Sequence, residues 1–113
     1  MKRIVAFIKP NMLNDVICAL HEIEDFPGAA IAEVKGIGRG ISDHVKGSTH
    51  EPFHGMPHSV RLESICLDEM VETIVNAIET NAHTGLPDDG KIYVSPVEAA
   101  VRIRTGERGD VAV

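Results

Sequence analysis

The residue types best placed to do chemistry are gathered in Thr84-Gly85-Leu86-Pro87-Asp88-Asp89-Gly90-Lys91-Ile92-Tyr93-Val94. Gly90, behind two carboxylates, lets backbone amides approach a ligand closely, and Lys91 beside it supplies a compact positive charge suited to phosphate. An Asp-Gly-Lys turn is by itself common in proteins that bind nothing. A second group strengthens the case. In Ala100-Val101-Arg102-Ile103-Arg104-Thr105-Gly106 the arginines alternate with apolar residues, so a strand here would set both guanidiniums on one face about 7 Å apart. That spacing suits two phosphates of a polyphosphate.

The elements that must position these groups come from a chain of 113 residues, which reads as one domain with room for a modest core. Its 43% hydrophobic and 25% charged composition is that of a globular protein rather than a disordered one. The formal charge of −6 argues against a nucleic-acid surface, which needs a broad excess of Lys and Arg, but leaves room for a local basic pocket. No apolar run reaches membrane-spanning length and no signal-peptide core opens the chain, so a cytoplasmic location is expected. Cys18 and Cys66 fall in apolar-periodic segments without metal spacing and are expected to be buried, reduced thiols.

Along the chain, Arg3 to Ile8 alternates as a strand and stops at Lys9-Pro10. Asn11 can cap a helix whose stripe is Leu13, Val16, Ile17, Leu20 and Ile23, running to Glu24 or Asp25 before Pro27-Gly28. A second strand is expected from Ala29 to Lys35, then the glycine-rich exit Gly36-Ile37-Gly38-Arg39-Gly40. Residues 41–58 fit neither period and read as a long mobile loop. Ser59 to Leu67 is a third strand, and Met70, Val71, Ile74, Val75 and Ile78 form a second helical stripe preceded by Asp68 and Glu69. A shift of 58 residues lays Met12 on Met70, Leu13 on Val71, Val16 on Ile74, Ile17 on Val75 and Leu20 on Ile78. The chain therefore reads as two strand-helix-strand units with residues 105–113 as a C-terminal tail. Two such units sharing one sheet make an α+β, ferredoxin-like split βαβ sandwich (βαββαβ) with one bare sheet face, which a homo-oligomer would cover.

The opening Met-Lys-Arg-Ile-Val-Ala-Phe-Ile-Lys-Pro, the run Glu33-Val34-Lys35-Gly36-Ile37-Gly38-Arg39, the stretch Thr84 to Val94 and the close Val101-Arg102-Ile103-Arg104-Thr105-Gly106-Glu107 resemble the PII signal-transduction proteins. The resemblance spans nearly the whole chain outside the central loop. It implies a homotrimer with ATP or ADP in each cleft between subunits and a protruding loop, residues 41–58, that docks on a target protein such as a membrane transporter. It further implies that Gly36, Ile37, Gly38 and Arg39 line the cleft beside Ile65, and that Asp89, Gly90 and Lys91 meet the phosphates from one side. Arg102 and Arg104 would approach from the neighbouring subunit.

Four departures from that family's pattern bear on function. Asp88 stands where the family turn usually has glycine, and its charge would weaken nucleotide binding or recruit a divalent cation such as Mg²⁺. Gly40 replaces the glutamine that helps hold Mg²⁺ and 2-oxoglutarate, and Ser59 replaces the lysine that pairs with 2-oxoglutarate, so sensing of that dicarboxylate is expected to be weak or lost. The loop also lacks tyrosine, with His50 near the place of the uridylylated residue. His50, His54 and His58 recur every fourth residue, and imidazoles suit a transition metal such as Zn, Cu or Ni. Pro52, Gly55 and Pro57 prevent one helix from lining them up, so solvated histidines compete with a metal-responsive loop. Nothing in the sequence resembles an activated nucleophile, and a non-enzymatic role is expected.

Overall fold

The computed structural model describes residues 1–37 and 58–113. Strand β1 (Lys2–Ile8) ends where Pro10 removes a donor and fixes its own φ, and the chain enters a 3-10 turn at Pro10–Met12 and then α1 (Leu13–His21). Asn11 lies inside that turn and caps nothing; the residue ahead of α1 is Met12, which makes no side-chain cap. Strand β2 (Ala30–Lys35), β3 (His58–Cys66), a 3-10 turn at Asp68–Met70, α2 (Val71–Ala82) and β4 (Gly90–Pro96) complete the fold. Both 3-10 turns and both helix starts obey the 58-residue offset: Pro10 to Asp68, Leu13 to Val71.

The strands form one sheet in the order β2-β3-β1-β4, each neighbouring pair antiparallel. Strands joined through a helix are therefore parallel with one strand inserted between them, which is the split βαβ arrangement expected from the repeat. The register places Ile4 opposite Ser64 and Val94, Ala6 opposite Leu62 and Ile92, and Ile8 opposite Val60 and Gly90. These rows face the helices. Ile4, Ala6, Ile8, Val60 and Leu62 are buried there against Val16 and Leu20 of α1 and Ile74 and Ile78 of α2. Burial of each large aliphatic side chain contributes about 1.5–3 kcal/mol relative to exposure. Alternate positions form the opposite face, where Arg3, Lys91 and Tyr93 are exposed and Phe7, Arg61 and Glu63 partly so, around a buried Val5.

The first helix stops at His21, short of Glu24, because Ile23 and Phe26 leave helical geometry to pack on the core from the connector. The two thiols differ. Cys66 is buried at the end of β3, and desolvation raises its pKa, whereas Cys18 is exposed on α1, against expectation. Its place between Ile17 and Leu20 turns it outward from the stripe.

The C-terminal segment is the main departure from the sequence-based reading. Residues 100–106 form no strand. Val101 makes a single bridge to Arg108, and the chain turns through Ile103–Thr105, with Gly106 at φ +76°. Arg102 and Arg104 thus lack the shared strand face expected of them. Residues 105–113, expected as a C-terminal tail, fold back and close in a 3-10 turn at Gly109–Ala112.

Candidate functional site

The connector from α2 to β4 is built around one carboxylate. Asp89 Oδ2 accepts the backbone N–H of Thr84 at 2.8 Å and of Gly85 at 2.9 Å, while Oδ1 accepts the Thr84 hydroxyl. Lys9 Nζ lies 3.2 Å from Oδ1 and donates to Thr84 Oγ1 at 3.2 Å; His83 Nδ1 is 3.6 Å from Oδ2. The Thr84 hydroxyl also accepts the Leu86 N–H at 3.1 Å. Bonding to the Thr84 hydroxyl, then to the two amides and Lys9, holds the Asp89 carboxyl well below the usual carboxylate range. The Asp89 side chain therefore faces its own loop and fixes the turn that carries Gly90 and Lys91.

Gly90 has φ +106°, and a Cβ there would sit 1.7 Å from the Phe7 carbonyl oxygen. Only glycine allows β4 to pair with β1 at Ile8 and still turn out of the connector. Asp88 also has a positive φ, +70°. The position is one that glycine would occupy without strain and that aspartate tolerates better than most side chains.

Above this turn, where β1, β2 and β4 end together, lies a cavity of about 600 Å³, within the ordinary size range of small-ligand sites. Lys9, Lys35, Lys91 and His58 line it, with Asp88 as its carboxylate, and Phe7 and Tyr93 form an aromatic wall in edge-to-face contact at 6.4 Å and 81°. Gly36 and Ile37 are at its rim, and Lys35 pairs with His58 across β2 and β3. A chain of net charge −6 thus gathers three lysines in one concavity, Lys9 paired there with Asp89 and Lys35 and Lys91 left to favour an anionic ligand. Ser59 donates its hydroxyl to the Ile8 carbonyl at 3.2 Å and so offers that cavity no free donor.

The structure brings together Gly36, Ile37, Gly90 and Lys91, with Asp89 as their support. It does not bring Ile65 beside Gly36 within one chain: Ile65 pairs with Arg3 six positions along β3 from Ser59, about 20 Å away. Arg102 and Arg104 contribute nothing to the cavity, because β4 first runs from Gly90 to Pro96 at the far end of the sheet. Gly38, Arg39, His50 and His54 lie outside the described residues. His58 heads β3 and faces the cavity, and among the described residues no group of three or more His, Cys, Asp or Glu is gathered for a metal.

Lys9, Thr84, Lys35, Phe7 and Tyr93 were not singled out from sequence. Lys9 reaches Asp89 because Ile8 pairs with Gly90, a register that no local pattern reveals. Thr84 carried a weak signal, as a hydroxyl five residues before an aspartate around a Gly-Pro turn.

A family model described as nitrogen regulatory protein P-II matches residues 1–107. The chain is 44% identical to the nitrogen regulatory protein P-II of Azospirillum brasilense and 43% identical to that of Rhodospirillum rubrum, each comparison covering 100% of both chains. The protein of the same name from Bradyrhizobium diazoefficiens is 41% identical over 96% of each chain. With the split βαβ sheet and the Asp-Gly-Lys turn in place, this full-length likeness shows that the chain belongs to the nitrogen regulatory protein P-II family.

Proposed function

We propose that this member of a signalling family is a homotrimer that binds ATP or ADP between subunits and controls a nitrogen-related target protein through residues 41–58. The observation that carries the reading is the cavity lined by Lys9, Lys35 and Lys91 above the Gly90 turn, a local cationic site in an acidic chain. Lys91 and the amides around Gly90 take the phosphates, with Asp89 holding the turn in shape. Arg102 and Arg104 stand apart from that cavity in their own chain, so a neighbouring copy supplies them. The uncovered sheet face gives that copy a surface to bury. Sensing of 2-oxoglutarate is weak or lost, since Ser59 has its hydroxyl committed to Ile8.

The test is calorimetric titration of ATP, ADP and 2-oxoglutarate into the purified protein, with the assembly mass measured by sedimentation. Micromolar ATP binding by a trimer, lost on replacing Arg102 and Arg104 together by alanine while the trimer persists, is the expected result. A monomer, or nucleotide binding indifferent to both arginines, would defeat the proposal.

A further inference from the structure

Arg102 and Arg104 are not equivalent. Arg102 N–H donates to the Glu107 carbonyl at 2.9 Å and Gly106 N–H to the Arg102 carbonyl at 2.7 Å, which sets residues 102 and 107 side by side across the turn. The Arg102 side chain is held at both ends of its fork: Nη1 donates to Glu107 Oε1 at 3.2 Å and Nη2 to the Val111 carbonyl at 2.8 Å. Arg104, exposed in the turn, makes no hydrogen bond or ion pair with any described residue.

We infer that Glu107 is a positioning residue, which with the Val111 carbonyl pre-orients the Arg102 guanidinium for a nucleotide phosphate. The inference rests on the nucleotide reading above and adds to it a residue and a mechanism. A guanidinium carries five N–H donors, so two anchors leave three for a ligand, and the Arg102 side chain is still 39% exposed. Holding a long side chain in advance removes ordering cost from the binding step. The contact to Glu107, at 3.2 Å, is longer than the usual charge-assisted bond of about 2.7–2.9 Å, and the closer anchor is a neutral carbonyl. The fork is thus oriented more than it is neutralised.

The test is ATP titration into the wild type, Arg102→Ala, Glu107→Ala, Glu107→Gln and the Arg102→Ala/Glu107→Ala pair, with folding checked by circular dichroism. Glu107 is exposed and its replacement should leave the fold intact. Arg102→Ala keeps Arg104 and Lys91, so residual binding is measurable; its weakening relative to wild type establishes the nucleotide reading separately. Glu107→Ala should weaken ATP about 2- to 10-fold, the cost of one unrestrained long side chain. Glu107→Gln, which keeps an acceptor oxygen, should restore the affinity, and Glu107→Ala should have no further effect once Arg102 is gone. Tighter or unchanged ATP binding in Glu107→Ala, or an equal loss with and without Arg102, overturns the assignment. If Arg102→Ala binds ATP normally, this inference fails while the nucleotide reading stands; if wild type binds no ATP, the nucleotide reading itself fails and takes this inference with it.

Discussion

The two helix-to-strand connectors of the repeat make an instructive pair. Residues 22–29 and 83–89 join helix to strand in the two halves, and each passes through left-handed residues: Asp25 at φ +59° and Gly28 at +102° in the first, Gly85 at +80° and Asp88 at +70° in the second, followed by Gly90 at +106° as β4 begins. Their fillings differ. The first connector sends Ile23 and Phe26 onto the core, so apolar burial holds it. The second is held by the Asp89 carboxylate and its bonds to Thr84, Gly85 and Lys9, all at the protein surface. The glycines differ as well, since a Cβ at Gly28 would meet nothing while one at Gly90 would strike the Phe7 carbonyl. Matching places in the repeat are therefore held by apolar packing in one half and by polar bonding in the other.

The most damaging way to probe this contrast is Gly90→Ala, where a Cβ meets a backbone oxygen at 1.7 Å and φ is positive. The loss should be about 3 kcal/mol or more in urea unfolding, by combining backbone strain with overpacking. Gly28→Ala should cost about 1 kcal/mol, from φ alone. Equal losses at the two glycines would erase the distinction.

Next in size, Phe26→Ala should destabilise by about 2 kcal/mol, below the range for a fully buried ring because Phe26 is half-buried. Nucleotide affinity should not change. A marked drop in ATP binding there would show that the connectors are coupled rather than separate in role.

Asp89→Asn should weaken ATP roughly tenfold, as one charged acceptor is withdrawn from several donors. It should also alter the acid response. The Asp89 carboxyl is depressed in the folded chain, chiefly by the Thr84 hydroxyl, so its contribution is full above the unfolded-state value near 3.9 and fades as pH falls below it. Between about pH 4 and pH 2 the wild type should lose stability more steeply than Asp89→Asn. Parallel acid-unfolding curves would mean that the carboxylate does not hold the turn.

The smallest expected effect is a gain. Asp88→Gly removes a left-handed side chain and a negative charge from the cavity rim, and should tighten ATP by a few-fold while changing stability by less than about 1 kcal/mol. Unchanged affinity would show that Asp88 points away from the phosphates.

Much of this was legible in the residues themselves. The alternation of β1 and β3, the stripes of α1 and α2 and the 58-residue repeat are local signals, because which face a side chain takes follows from period 2 or 3.6. The turn at Asp-Gly-Lys was likewise readable from residue type. The role of Asp89 was not: a carboxylate beside a lysine reads as ligand chemistry until the fold shows Thr84, Gly85 and Lys9 gathered on it. Arg102 and Arg104 misled for a related reason, since their alternation looks like a strand, yet Gly106 and the pairing of Val101 with Arg108 turn the chain back between them.

The sequence alone thus determined the elements, their order and the family resemblance, because helical and extended periodicity and turn chemistry are short-range properties. Only the tertiary structure decided which residues share a cavity. Lys9, Lys35, His58 and Lys91 come from four strand ends dozens of residues apart. The hydrogen-bond register of the sheet that joins them is set by which face of every strand must be buried, a condition that exists only when all four strands are assembled.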